Sequence, residues 1–137
     1  MAEVRVEKRA VVDGEKLWLK LCDFGDLSWF SGPEKVESNG AGPGMIRRVF
    51  VPGGGFIDEK LESVDEHSKT LTYSIAKAAA FPLDNYRAQV TVINESAGQA
   101  LVIWSGTFDA KDVSEDEAKA MLQSTYAALI DALMASI

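Results

Sequence analysis

Apolar residues occupy every second position at Val4, Val6 and Ala10 with Arg5, Glu7 and Arg9 between them, the mark of a strand with one buried face. Lys8 is the one charge on the apolar side. A first strand is predicted over 3–12. Asp13-Gly14 breaks the chain, and Leu17, Trp18, Leu21 and Phe24 then recur at helical spacing before Gly25, with Leu27, Trp29 and Phe30 as a second short helical segment. From Pro33 to Phe108 six alternating segments of strand length follow, at 34–38, 45–51, 56–64, 69–77, 86–94 and 100–109. Their joints, 39–44, 52–55, 65–68, 78–85 and 95–99, carry the Gly, Pro, Asn, Asp and Ser residues of tight turns. Ser114 with Glu117 three residues on is a capping box. After it Ala118, Met121, Leu122, Thr125, Leu129, Ala132 and Leu133 share one face of a helix of about six turns.

One strand, two short helices, six strands and a long helix cannot form a doubly wound sheet, because strands and helices do not alternate through the middle. The expected class is α+β: a curved seven-stranded antiparallel sheet wrapped around the long C-terminal helix, with two short helices after strand 1. A length of 137 residues, 47% hydrophobic and 26% charged, fits one domain spanning 1–137. The net charge of −7 disfavours nucleic acid and anionic membrane surfaces as partners. With Cys22 and His67 as the lone residues of their types, neither a disulfide, a Cys/His metal site nor a His-based triad has enough parts. No cofactor is expected. No signal peptide or membrane-length apolar run is visible, so a cytoplasmic monomer or homodimer without a membrane span is expected.

Strand parity isolates a few polar groups. Glu59 falls with Ile57 and Leu61, leaving Asp58, Lys60 and Glu62 on the other face. Tyr86 falls with Ala88, Val90 and Val92, so its hydroxyl needs a buried partner. Arg47 and Arg48 are adjacent, so one of them must face inward, where a carboxylate such as Glu59 would offset its desolvation. Parity leaves open which. Tyr73 and Trp104 occupy positions open to both core packing and ligand stacking. Pro52-Gly53-Gly54-Gly55 lacks the ending of a phosphate-binding loop and reads as a mobile hairpin lid, with residues 79–83, including Phe81 and Leu83, as its counterpart. His67 falls in a solvated turn, and Cys22 reads as an apolar filler.

A series of local words runs through this frame: Gly14-Glu15-Lys16-Leu17-Trp18, Asp23-Phe24-Gly25-Asp26-Leu27-Ser28-Trp29, Gly42-Pro43-Gly44-Met45-Ile46-Arg47, Glu59-Lys60-Leu61, Leu71-Thr72-Tyr73, Pro82-Leu83-Asp84-Asn85-Tyr86 and Val102-Ile103-Trp104. In order and spacing these resemble the polyketide cyclase/dehydrase branch of the START-like (SRPBCC) superfamily. The resemblance implies the helix-grip fold of the birch-pollen-allergen proteins, with a deep cavity between sheet and helix for a hydrophobic or aromatic small molecule. The small residues Ala118, Thr125 and Ala132 opposite a curved sheet agree with such a space. The Gly-x-x-Arg word selects Arg47. Together with Glu59 and Tyr86 it matches the set used by the similar lachrymatory-factor synthases, which implies cofactor-free proton transfer, cyclisation or dehydration by a lyase or isomerase. Glu59-Lys60-Leu61 departs from the Glu-Arg-Leu of that group. The hormone receptors of the same fold, also similar here, imply the alternative of a non-catalytic carrier or sensor; an interaction domain with a filled cavity is a third reading. Tyr73, Trp104, Phe81, Leu83, Met121 and Thr125 are the expected ligand-binding residues.

Overall fold

The computed structural model describes residues 1–79 and 81–137; Ala80, within the expected second lid, lies outside the described residues. β1 (Ala2–Val11) is followed by α1 (Gly14–Cys22). β2 (Lys35–Asn39), β3 (Ile46–Val51), β4 (Gly55–Asp65), β5 (Thr70–Ala79), β6 (Leu83–Asn94) and β7 (Gln99–Ala110) then lead to α2 (Glu115–Ala135), with a single 3₁₀ turn at Ser96–Gly98 before β7. The strands form one seven-stranded antiparallel sheet in the order β1-β7-β6-β5-β4-β3-β2. Its ladders are meander hairpins throughout except β1 on β7, which brings the two ends of the chain together. No helix of the described residues is long and apolar enough to cross a membrane.

Each element follows from its sequence. Asp13 caps α1 by accepting from the Glu15 amide, and Leu17, Trp18 and Leu21 bury its inner face. Ser114 Oγ caps α2 by accepting from the Glu117 amide at 3.1 Å, and its hydroxyl donates to the Glu117 carboxylate at 3.0 Å, a side-chain contact in place of the backbone reciprocal bond of a full capping box. Lys8, the charge on the apolar side of β1, reaches across to Asp131 of α2 at 2.8 Å and so tolerates its position. The core of the grip is aromatic: Trp18, Phe24, Trp104, Phe108 and Tyr126 are all fully buried.

Three expectations are corrected. The second short helix is absent: residues 23–30 form two turns, closed by Asp26 N to Asp23 O and Phe30 N to Leu27 O, both at 2.9 Å. There the Asp26 side chain takes the Ser28 amide, a local bond that competes with the helical ladder. The connection expected at 78–85 is shorter, because β6 begins at Leu83, paired with Ala110. Asn85 at φ 53° and the register shift between Asp84 and Arg87 hide that start from an alternation reading. The buried stripe of α2 is rotated from the one expected. It runs through Ala118, Leu122, Tyr126, Leu129, Ile130 and Leu133, leaving Met121 and Thr125 on an exposed flank.

Candidate functional site

Between the inner face of β4–β6 and α2 lies a cavity of about 320 Å³, whose walls include Glu59, Tyr73, Ile75, Phe81, Tyr86 and Tyr126. Val51, Pro82, Met121 and Thr125 also border it, so the exposed flank of α2 meets the space rather than turning away from it. Six of the expected residues therefore border one space: Tyr73, Tyr86, Phe81, Met121, Thr125 and Glu59, its charged group.

Two of the expected ligand-binding residues stand elsewhere. Trp104 is fully buried behind the wall, stacked on Tyr126 with ring centroids 6.1 Å apart and donating from Nε1 to the Tyr73 hydroxyl at 3.1 Å. Leu83 lines a neighbouring groove on the other side of Tyr86. Trp104 is displaced because Tyr126, unforeseen as a buried residue, stacks on it and lines the cavity in its place. Leu83 is displaced because the irregularity at Asn85 changes which way the chain before Tyr86 faces.

Glu59 owes its place to cross-strand pairing. Arg47 stands directly opposite it in the β3–β4 ladder, and Arg47 Nε donates to Glu59 Oε1 at 2.7 Å. Both side chains are largely buried, with 8% and 14% of their surface exposed. The guanidinium is further held by the Phe24 carbonyl at 2.9 Å and lies 3.8 Å from the Phe24 ring centroid. Arg47 therefore sits behind Tyr73, outside the cavity lining, and acts on the space through the carboxylate it holds. Glu59 Oε2 makes no hydrogen bond among the described residues and is the charged oxygen available to a ligand. The adjacent pair, Arg48 with Asp58, repeats the arrangement on the outer face through two bonds of 2.7 and 2.9 Å, which settles the ambiguity between the two arginines.

All three tyrosines of the chain face this region. Tyr86 and Tyr126 share a short hydroxyl–hydroxyl hydrogen bond. The Tyr73 hydroxyl accepts from Trp104, and its own proton is not committed to any bond among the described residues. Burial holds the pKa values of all three above the ordinary tyrosine value, and the Glu59 charge pushes them further the same way. They are neutral donors at physiological pH. Tyr126 was missed at the sequence level. The signal was its place four residues after Leu122 and three before Leu129, on the stripe that α2 does bury.

The remaining candidates are peripheral. His67 is exposed in the turn closed by Asp65, whose carboxylate accepts from the His67 and Ser68 amides. Burial raises the Cys22 thiol to about 11, so it is not a nucleophile near neutral pH. The glycine hairpin forms the β3–β4 turn, with Gly53 and Gly54 both at positive φ.

Known proteins share this architecture. The structure of the protein XoxI from Bacillus cereus is similar with a TM-score of 0.88 and 28% identity, covering 99% of this chain and 95% of that one. Norcoclaurine synthase from Thalictrum flavum, at 18% identity, shares the fold with a TM-score of 0.78 over 97% of this chain and 84% of its own. The stress-induced protein SAM22 of Glycine max is 34% identical over 85 residues, 60% of this chain, and the match spans half the length of that relative. The seven-stranded sheet gripping a C-terminal helix is thus the helix-grip arrangement. The family described as polyketide cyclase / dehydrase and lipid transport matches residues 1–137, end to end, and the chain belongs to that family.

Proposed function

We propose that the protein binds a hydrophobic or aromatic small molecule in the cavity between β4–β6 and α2 and catalyses a cofactor-free proton transfer on it, of the kind that drives cyclisation or dehydration. One observation carries this reading: a cavity otherwise lined by apolar and neutral hydroxyl-bearing side chains contains a carboxylate, Glu59, with one oxygen bonded to Arg47 and the other without a hydrogen bond among the described residues. A purely structural ion pair has no need to present a free oxygen to an internal space.

The chemistry follows from the placement. Glu59 accepts a proton from a carbon next to a ligand carbonyl, and the electron pair moves onto the carbonyl oxygen. The neutral hydroxyls of Tyr73 and Tyr86 are the donors in the lining able to stabilise that oxygen, and the proton returns from Glu59 to a different atom of the ligand. Arg47 is a positioning residue, fixing the orientation of Glu59 without touching the ligand. The domain acts as one ligand-binding unit.

A second reading, a carrier or sensor without turnover, is favoured by the bond between Tyr86 and Tyr126, which commits one of their two hydroxyl protons and leaves Tyr86 free to donate to a ligand only when Tyr126 donates to it. The test is in two parts. The neutral fluorophore N-phenyl-1-naphthylamine should bind with a blue shift and saturate at one per chain, and Leu129→Trp, which fills the cavity, should abolish it. In D2O the protein should then exchange the α-hydrogens of phenylacetaldehyde, an aromatic aldehyde like the hydroxybenzaldehyde in the norcoclaurine synthase structure but with a CH2 next to its carbonyl, and Glu59→Gln should stop the exchange. Binding without exchange for this and related carbonyl compounds would select the carrier.

A further inference from the structure

We infer that the cavity has a lateral opening between β5 and β6 and that its ligand carries an anionic group, a carboxylate, which stays at that opening against Lys77 while the apolar body lies inside. This rests on the cavity being a ligand site, as proposed above, and adds the route and the chemical class.

The sheet itself opens there. The β5–β6 ladder runs from Thr70↔Thr91 to Ser74↔Arg87 and ends, although β5 continues to Ala79 on the β4 side and β6 begins at Leu83 on the β7 side. The two strands are thus held by their other neighbours and splay apart. A groove of about 200 Å³ occupies the splay, and it shares Ile75, Phe81 and Tyr86 with the cavity wall. The partition includes Phe81 and Tyr86, whose rings meet edge to face at 5.9 Å. Phe81 is half-buried and precedes Pro82, so of the shared residues Ile75, Phe81 and Tyr86 it is the one next to the short connection, and its rotation is the movement the route calls for.

The two sides of the partition differ in charge. The groove is lined by Lys77, Lys111 and Asp84, two cations against one carboxylate, whereas the charged side chain in the cavity lining is Glu59. Lys77 faces Asp58 in the register, but both oxygens of Asp58 are taken by Arg48. Among the described residues no carboxylate comes within 4 Å of the Lys77 ammonium, while Lys111 is shared with Asp84 at 3.9 Å. In a chain of net charge −7 this is a local cationic point. An anion inside the cavity would meet Glu59 with no cation in the lining, and burying it there is unfavourable. The stable arrangement has the apolar part inside and the carboxylate at Lys77, where it remains partly hydrated.

The test compares 1-anilinonaphthalene-8-sulfonate, which is anionic, with neutral N-phenyl-1-naphthylamine by titration and stopped-flow fluorescence. Lys77→Gln should lower the affinity and association rate of the anionic probe by roughly three- to tenfold at low salt, leave the neutral probe unchanged, and lose its effect at about 1 M salt. Phe81→Ala should speed both association and release of both probes. An anionic probe indifferent to Lys77→Gln, or equal loss of both probes, would overturn the anionic head group. Unchanged rates in Phe81→Ala would overturn the lateral route. Wild-type protein that takes up neither probe would overturn the cavity reading along with this one, whereas uptake of the neutral probe alone would overturn only this inference.

Discussion

The hydroxyl of Tyr126 lies over the backbone of Gly106: a Cβ added at Gly106 would stand 2.1 Å from that oxygen and 3.2 Å from Cζ. α2 can therefore place Tyr126 against β7, stacked on Trp104 and bonded to Tyr86, because β7 has no side chain there. Gly106→Ala should expel the hydroxyl, break the Tyr86 bond and cost about 2–3 kcal/mol, from overpacking plus one lost hydrogen bond. Removing the offending oxygen should recover most of that loss. In a double-mutant cycle Gly106→Ala in the Tyr126→Phe background should therefore cost much less than in the wild type, and additive costs would contradict the contact.

Glu59→Gln separates structure from chemistry. Arg47 keeps an amide acceptor but loses its counter-charge in a site where both partners are largely buried, so denaturant melting should show a loss of about 3 kcal/mol. Affinity for the neutral probe should stay within about tenfold, while α-hydrogen exchange should fall by ~10²–10⁴. Arg47→Lys should retain the charge but lose the Nε geometry, with exchange reduced less than in Glu59→Gln.

The tyrosines set an alkaline limit on stability. Each has its folded pKa raised above the unfolded value of about 10. The folded state therefore holds these protons more tightly than the unfolded chain does. The stability this contributes is fully present below pH ~10 and is lost as the pH rises toward the folded values. Absorbance at 295 nm should show little tyrosinate in native protein at pH 10, then a cooperative rise of all three together with unfolding, followed by circular dichroism. A non-cooperative titration of one tyrosine near pH 10 would contradict its burial.

The β3–β4 hairpin makes a simpler prediction. Gly54 sits at φ 94°, and a Cβ there would meet nothing within 4 Å, so Gly54→Ala carries only the backbone cost of positive φ. A loss of about 1–2 kcal/mol in thermal or chemical melting is expected, with the anionic and neutral probes still bound.

The alternation of this sequence was sufficient to determine seven strands, the capped C-terminal helix and the inward side of β4 and β6, because a period of two admits only one burial pattern once a face is apolar. It also showed that Glu59 and Tyr86 would be polar groups on an apolar face. Local pattern could not resolve Arg47 from Arg48, since adjacent residues satisfy either register. The family resemblance pointed to Arg47, and the physical reason lies in the β3–β4 pairing, which gives each arginine its own carboxylate. The same limit applies to the helix, where stripes through Thr125 and through Tyr126 differ by one residue of rotation; the gap over Gly106 on a strand twenty residues earlier selects the second. Whether Trp104 meets a ligand, where Leu83 points and where β5 parts from β6 depend on bulges and on which neighbour holds each strand. Those are pairings between distant residues, and nothing within a single segment encodes them.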